Sequence, residues 1–320
     1  MTYAMTYHIM VGSYQVKTLQ SVSIKKSVEQ LSDTAVITLP GTLINQTLQV
    51  EDSIAVGDPV TIRLGYNNDL KTEFTGYVKN INTDNTAILI ECEDELYLWE
   101  VALRDEQLHD VSLKTLLQHV ATQVNAAKGT NYHISCDYSF TYKTFTISHA
   151  KAWDVLKKIQ DECKANVYFE GTTLHIHPQY AEVRNRAIYD FALNVLSSDL
   201  KYKKAEDKKI EVEINYFDMD GKKHTAKYGT TGGQKIERTI SASDETSIQS
   251  AAKNEWNLWN YSGYEGGLTG WLIPFCQPMD VVEIRDSSYP HKTGNYYVVS
   301  TNVEFSASGG RRKVTLGKRM

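Results

Sequence analysis

Several groups of residues could do chemistry in this chain, and each meets a limit of number or spacing. His175 and His177 stand two apart in TLHIH, so on a strand both imidazoles face one side and could share a metal ion. Two ligands do not make a centre, and no other His or Cys is close in sequence. A polar strand face, with no metal, is the expected reading. The run Glu91-Cys92-Glu93-Asp94-Glu95 offers carboxylates for acid/base work, but strand alternation sends neighbours to opposite faces. Charges protecting a strand edge are expected there. Asp218-Met219-Asp220-Gly221 begins like a calcium loop, yet position twelve falls on Gly229 instead of glutamate, so it reads as a turn. Gly309-Gly310-Arg311-Arg312 reads as a hairpin turn with two exposed arginines in preference to an anion site. The nucleophile-elbow, zincin and phosphate-loop patterns are absent. Nothing demands an enzyme or a cofactor.

The aromatic residues Trp256, Trp259 and Trp271 have two open readings. Trp256 and Trp259 share a helical stripe with Ile248 and Ala252, which favours a core. A helix presenting them beside the Gly-rich GYEGGLTG could instead form a subunit contact, with Trp271 following that loop. The same three rings could serve as stacking platforms in a carbohydrate-binding module.

The elements that must position these groups are mostly strands. Val22 and Ile24, then Ala35, Ile37 and Leu39, alternate with polar neighbours before Pro40-Gly41. Val60, Ile62 and Leu64 continue the pattern to the tip Tyr66-Asn67-Asn68-Asp69, and Phe74 to Ile81 returns antiparallel. In the middle, Ser112 caps a helix carrying Leu113, Leu116, Leu117, Val120 and Val124, with Gly129 at its stop. A second helix is predicted from Ser148, with Ala152, Leu156, Ile159 and Cys163 inward, before the hairpin NVYFEG–TLHIH. Ile210, Val212 and Ile214 then alternate into a hairpin tipped by Met219 to Lys222, and Ser243 or Asp244 caps a third helix.

The predicted class is α+β, mostly β: two similar small antiparallel β-barrel domains with an α/β insertion between them. The expected division is 1–100, the first barrel; 101–185, the insertion; and 186–320, the second barrel with one helix. A strand from after the insertion is available to complete the first barrel. The duplication shows in the residues, because Asp58, Val60 and Ile62 are matched by Asp280, Val282 and Ile284, each followed by a polar tip and a Gly/Tyr-bearing strand.

Bulk properties agree with an ordinary globular chain. There are 320 residues, 41% hydrophobic and 23% charged, and tyrosine occurs 20 times. The net charge of −5 argues against tight binding to a phosphate backbone. The start MTYAMTYHIM lacks the pattern of a secretory leader, and no apolar run approaches a membrane span, so a cytoplasmic origin without stable membrane insertion is expected. Cys92, Cys136, Cys163 and Cys276 form no C-x-x-C pair and are expected to be free thiols.

In residues 58 to 78 the order Asp-x-Val-x-Ile, polar loop, Gly-Tyr-Val resembles the first domain of baseplate hub proteins of contractile phage tails. The later order SDETSIQSAAKNEW, GLTGW, MDVVEI, TGNYYVVSTNVEF and RRKVTLGKR resembles that family's second domain. TISHAKAWDVLKKIQDECKANVYFEGTTLHI is similar to its helix-then-hairpin segment. One departure is Gln277-Pro278-Met279-Asp280, where the family usually has Pro-Gly-Asp. The family includes the late control protein D group and the N-terminal part of type VI secretion spike proteins.

The resemblance implies a structural role. Two barrels per subunit would let a homotrimer form a ring of pseudo-sixfold symmetry, joining a sixfold tail tube protein to a threefold spike protein in a virion baseplate. A tape measure protein is a further candidate partner, and DNA would be only passing cargo. A type VI or other contractile injection component is the nearest alternative. A carbohydrate-binding or cell-wall-degrading baseplate protein is the alternative of another class.

Overall fold

The computed structural model describes residues 3–41, 53–83, 86–138, 141–163, 165–178, 180–181, 183–217, 222–240 and 245–320. In chain order the strands are β1 (Met5–Val11), β2 (Tyr14–Gln15), β3 (Ser21–Ser27), β4 (Thr34–Pro40), β5 (Pro59–Tyr66), β6 (Asp69–Thr83) and β7 (Ala87–Glu93). Next come β8 (Glu106–Ser112), helix α1 (Leu113–Lys128), β9 (His133–Cys136), β10 (Thr141–Ile147), helix α2 (Ala152–Cys163), β11 (Ala165–Glu170) and β12 (Thr173–Pro178). They are followed by β13 (Arg186–Asp190), β14 (Val195–Ser198), β15 (Lys201–Lys203), β16 (Ile210–Phe217), β17 (Lys223–Gly229) and β18 (Gln234–Ile240). Helix α3 (Glu245–Trp259), β19 (Gly263–Trp271), β20 (Val281–Arg285), β21 (Gly294–Ser306) and β22 (Gly309–Arg319) complete the chain.

By compactness the chain forms two units: Met1–Tyr97 with Arg184–Leu200 and Gly266–Gly317, and Leu98–Val183 with Lys201–Glu265 and Lys318–Met320. The class is mostly β, as the alternation predicts.

The first unit holds two β modules. One has the strand order β3-β4-β7-β6-β5-β1, the other β14-β19-β22-β21-β20-β13. Position for position these are the same arrangement, except that β1 runs antiparallel to β5 whereas β13 runs parallel to β20. The registers also coincide. Pro59, Val60, Thr61 and Ile62 oppose Tyr77, Gly76, Thr75 and Phe74, while Val281, Val282, Glu283 and Ile284 oppose Tyr297, Tyr296, Asn295 and Gly294. Asp58, Val60 and Ile62 are therefore matched by Asp280, Val282 and Ile284, as the sequence suggested. Tyr77-Val78 is matched by Tyr297-Val298, so Gly76 and Gly294 are not counterparts.

The turn that launches each hairpin repeats bond for bond. Asp58 Oδ2 accepts from the Ala55 N–H at 2.8 Å and Asp280 Oδ2 from the Gln277 N–H at 2.9 Å. The Gly57 N–H donates to Val78 O and the Val78 N–H to Asp58 O; Met279 and Val298 do the same with Val298 and Asp280. The backbone is left-handed at the same place, φ +93° at Gly57 and +72° at Met279. Met279 thus takes the conformation glycine would hold, and its side chain is buried.

β21 belongs to both modules. Gly294–Tyr297 pair with β20, and further along Ser300–Ser306 pair with β3. Val303 and Phe305 enter the core built by Ile9, Ile24, Ile37 and Ile62, so a strand from beyond the insertion contributes to the core of the first module.

In the second unit, Ser112 caps α1 by accepting the Thr115 N–H, and Gly129 closes it at φ 67°, both as predicted. Helix α2 starts at Ala152, not Ser148, because Asp154 reaches back to accept the Lys151 N–H at 2.8 Å. The strands β11, β12 and β9 form one sheet and β17, β16 and β18 another. Ile248 and Ala252 of α3 pack on Ile210, Val212 and Ile214. The tip residues 218–221 and the caps Ser243 and Asp244 lie outside the described residues.

At Gly57 an added Cβ would meet the Tyr97 hydroxyl at an ordinary 3.5 Å, leaving backbone conformation as the cost. Gly57→Ala is expected to lower unfolding free energy by about 1 kcal/mol in a urea titration.

Candidate functional site

The joint between the two β modules is the most chemically specific feature. β22 places Arg312 opposite Gly270 of β19, and β6 supplies Glu73. The two are 1% and 3% exposed. The guanidinium forks onto the carboxylate, Nη2 to Oε1 at 2.7 Å and Nη1 to Oε2 at 3.1 Å. It also donates to Cys276 O at 2.8 Å and Leu272 O at 3.3 Å, and lies 5.1 Å from the Phe275 ring centroid. Burial works against the arginine charge and Glu73 outweighs it, so the net shift is upward. Arg312 corrects the expectation of two exposed arginines. Gly310, Arg312, Val314 and Leu316 are all buried on one face of the strand, and that alternation was the available signal.

Beside this joint is a groove of about 620 Å³ lined by Tyr3, Tyr66, Leu193, Trp271 and Ile273 among others. Leu193 is 81% and Tyr3 61% exposed. The Tyr66 hydroxyl donates to Gly310 O at 3.3 Å, and Tyr3 meets Tyr66 edge-on at 5.6 Å. Trp271 therefore stands at an apolar surface. Trp256 and Trp259 do not share it, because they sit on α3 in the other unit, half-buried against its core. The Trp259 indole N–H donates to Glu255 at 2.8 Å, and Tyr228 meets Trp256 edge-on at 6.0 Å.

His175 and His177 do face one side, with Nδ1 and Nε2 3.2 Å apart. His177 Nδ1 is bonded to Asp137, and Tyr168 stacks on His175 at 4.8 Å. Among the described residues no group of three or more ligands could hold a metal ion. Cys92 is pushed up to about 12 by burial and then by Glu91, and burial likewise raises Cys276; both are protonated thiols at neutral pH.

The acidic run does not protect a strand edge. β7 pairs with β4 on one side and β6 on the other. Its carboxylates serve cross-strand partners: Glu93 bridges Lys79 at 2.7 Å, and Glu91 accepts from Asn80 and Asn82. Within this run the sequence reading missed a pair. Asp94 accepts the Asp33 N–H at 2.9 Å and the Leu96 N–H at 3.1 Å, while Asp33 accepts the Ser27 N–H at 3.1 Å. Burial first, and the Asp33 carboxylate second, push Asp94 up to about 8. Asp33 comes from the β3–β4 turn, so no local spacing announced the pairing.

Two measurements test this chemistry. Glu73→Gln should cost about 3–5 kcal/mol by stranding a buried guanidinium, and Glu73→Leu combined with Arg312→Met should recover most of it. A carboxyl raised in the folded state binds its proton more tightly there, so its ionisation opposes folding as pH rises through about 4 to 8. Asp94→Asn should flatten the fall in urea midpoint across that window.

No protein-family model matches the sequence, and no curated protein matches it. Solved structures do. A tail protein from Neisseria meningitidis MC58 aligns over 99% of this chain and 97% of that chain, with TM-score 0.64 and 12% identity. A tail protein of prophage MuSo2 from Shewanella oneidensis covers 98% and 97%, with TM-score 0.62 and 14% identity. The E. coli c3393 protein, a component of the type VI secretion system, covers 97% and 76%, with TM-score 0.61 and 6% identity. This chain therefore has the fold shared by phage and prophage tail proteins and type VI secretion components.

Proposed function

We propose that the protein is the structural hub of a contractile tail baseplate, forming a homotrimeric ring of pseudo-sixfold symmetry between a sixfold tail tube and a threefold spike. The observation that carries the reading is the duplicated module: one chain holds the same strand order twice, with matching register and turn hydrogen bonds. Three such chains present six equivalent surfaces to the tube and three to the spike. Cyclic closure then satisfies every contact without leftover edges.

The role is geometric and needs no catalysis, cofactor or metal. The fold likeness to tail proteins supports a place in a tail. A virion baseplate assembled in the bacterial cytoplasm suits that role, with a tape measure protein as a further partner and DNA only passing through. No helix of the described residues is long and apolar enough to cross a membrane. The likeness to a type VI component favours a second reading, a hub in a contractile injection machine. The carbohydrate alternative gains little, because Trp256 and Trp259 are half-buried against a core.

Light scattering tests the central point. The expected result is a trimer, alone or on mixing with tube and spike proteins. A monomer under all of those conditions contradicts the reading.

A further inference from the structure

The strands that join the two modules carry a small polar cleft on their outer face. Where β3 pairs with β21, Lys25 lies opposite Asn302 and Ser27 opposite Ser300, so these four side chains share one face. That face points away from the core, because the buried Val22, Ile24, Val303 and Phe305 alternate with them. On β22, Lys313 and Thr315 alternate with the buried Arg312, Val314 and Leu316 and so lie on the outer face as well. Together they line a cleft of about 280 Å³, with Lys26 and Glu29 beside it.

Two things are unfinished there. Three ammonium groups, those of Lys25, Lys26 and Lys313, face one carboxylate among the lining residues, that of Glu29. Lys26 also acts on the Asp33 carboxylate, but among the described residues neither Lys25 nor Lys26 ends in an ion pair. Lys313 has one, to Asp199 at 3.1 Å, with both side chains about half exposed. Water screens such a pair, so an incoming carboxylate can share or replace Asp199. The second gap is of the opposite kind. Asn302 Oδ1 is buried and accepts no hydrogen bond. An unpaired buried acceptor is costly, and what it lacks is a donor.

A ligand that completes the cleft must therefore bring negative charge and an N–H group together. Nucleic-acid phosphates and simple oxyanions supply only acceptors. An acidic polypeptide supplies both, since its side chains carry carboxylates and its main chain carries an N–H at nearly every residue. Lysine stems are flexible enough to part around an entering chain.

We propose that this cleft docks an acidic segment of a partner protein, with a carboxylate between Lys25 and Lys313 and a backbone N–H of the segment donating to Asn302 Oδ1. The inference stands on the cleft alone and does not require a ring. Complementary charge would steer the encounter, and the Asn302 bond would select a peptide over other anions.

The test titrates the full chain with a fluorescein-labelled hexaglutamate peptide at low salt and reads anisotropy. Binding is expected, weakened at least tenfold by Lys25→Glu and several-fold by Lys313→Gln and by Asn302→Ala. Lys25 is exposed, so its variant should keep the wild-type thermal midpoint and separate lost binding from lost fold. No binding of the peptide, or binding that all three variants leave unchanged, overturns the proposal. A single-stranded oligonucleotide that binds more tightly than the peptide, and is lost in the same variants, gives the cleft to phosphate and also overturns it. Self-association that Lys25→Glu abolishes would make a second copy the occupant and overturns the separate partner. The number of subunits found by light scattering bears on the hub reading and not on this cleft.

Discussion

The structure depends on one strand serving two modules. β21 completes the second module with its first half and the first module with its second. Tyr296 to Val299 are buried on both faces, and beyond them Thr301, Val303 and Phe305 alternate inward. A slip of one residue would turn Val303 and Phe305 out of the first core and expose apolar surface. The shared strand therefore fixes the spacing and orientation of the two modules.

The Glu73–Arg312 pair acts on the same joint. Burying two charges is costly, and a hydrophobic pair of similar volume would often be as stable. What the ion pair adds is direction. The guanidinium finds four acceptor oxygens, drawn from Glu73, Cys276 and Leu272, and they are satisfied together only in one relative placement of β6 and β22. A greasy joint would tolerate small rotations. In the proposed ring, where the joint repeats, such rigidity is an advantage.

Much of this was legible in the residues. Alternation at Val22, Ile24, Ala35, Ile37, Val60 and Ile62 marked strands whose inward faces do form a core. Ser112 and Gly129 bracketed α1 because capping is a local matter. The duplication was visible because the Asp58 and Asp280 turns are set by nearby hydrogen bonds. What escaped was nonlocal. Arg312 looked exposed because its partner lies 239 residues away, and Asp94 looked like edge charge because its partner Asp33 is brought by another turn. Aromatic type marks cores and contact surfaces equally, so the residues alone did not tell that Trp256 and Trp259 pack on a core while Trp271 lines a groove.

Under the proposed hub role, geometry accounts for the duplicated structure. A sixfold partner and a threefold partner share a common axis only if something between them presents both symmetries, and duplication within one chain supplies the factor of two. Electron micrographs of the purified protein give the most direct measurement of the proposed ring. Class averages viewed down the axis should show six near-equal lobes that reduce to threefold symmetry when finer features are included. A ring with three unlike lobes, or with a subunit number other than three, would contradict the account.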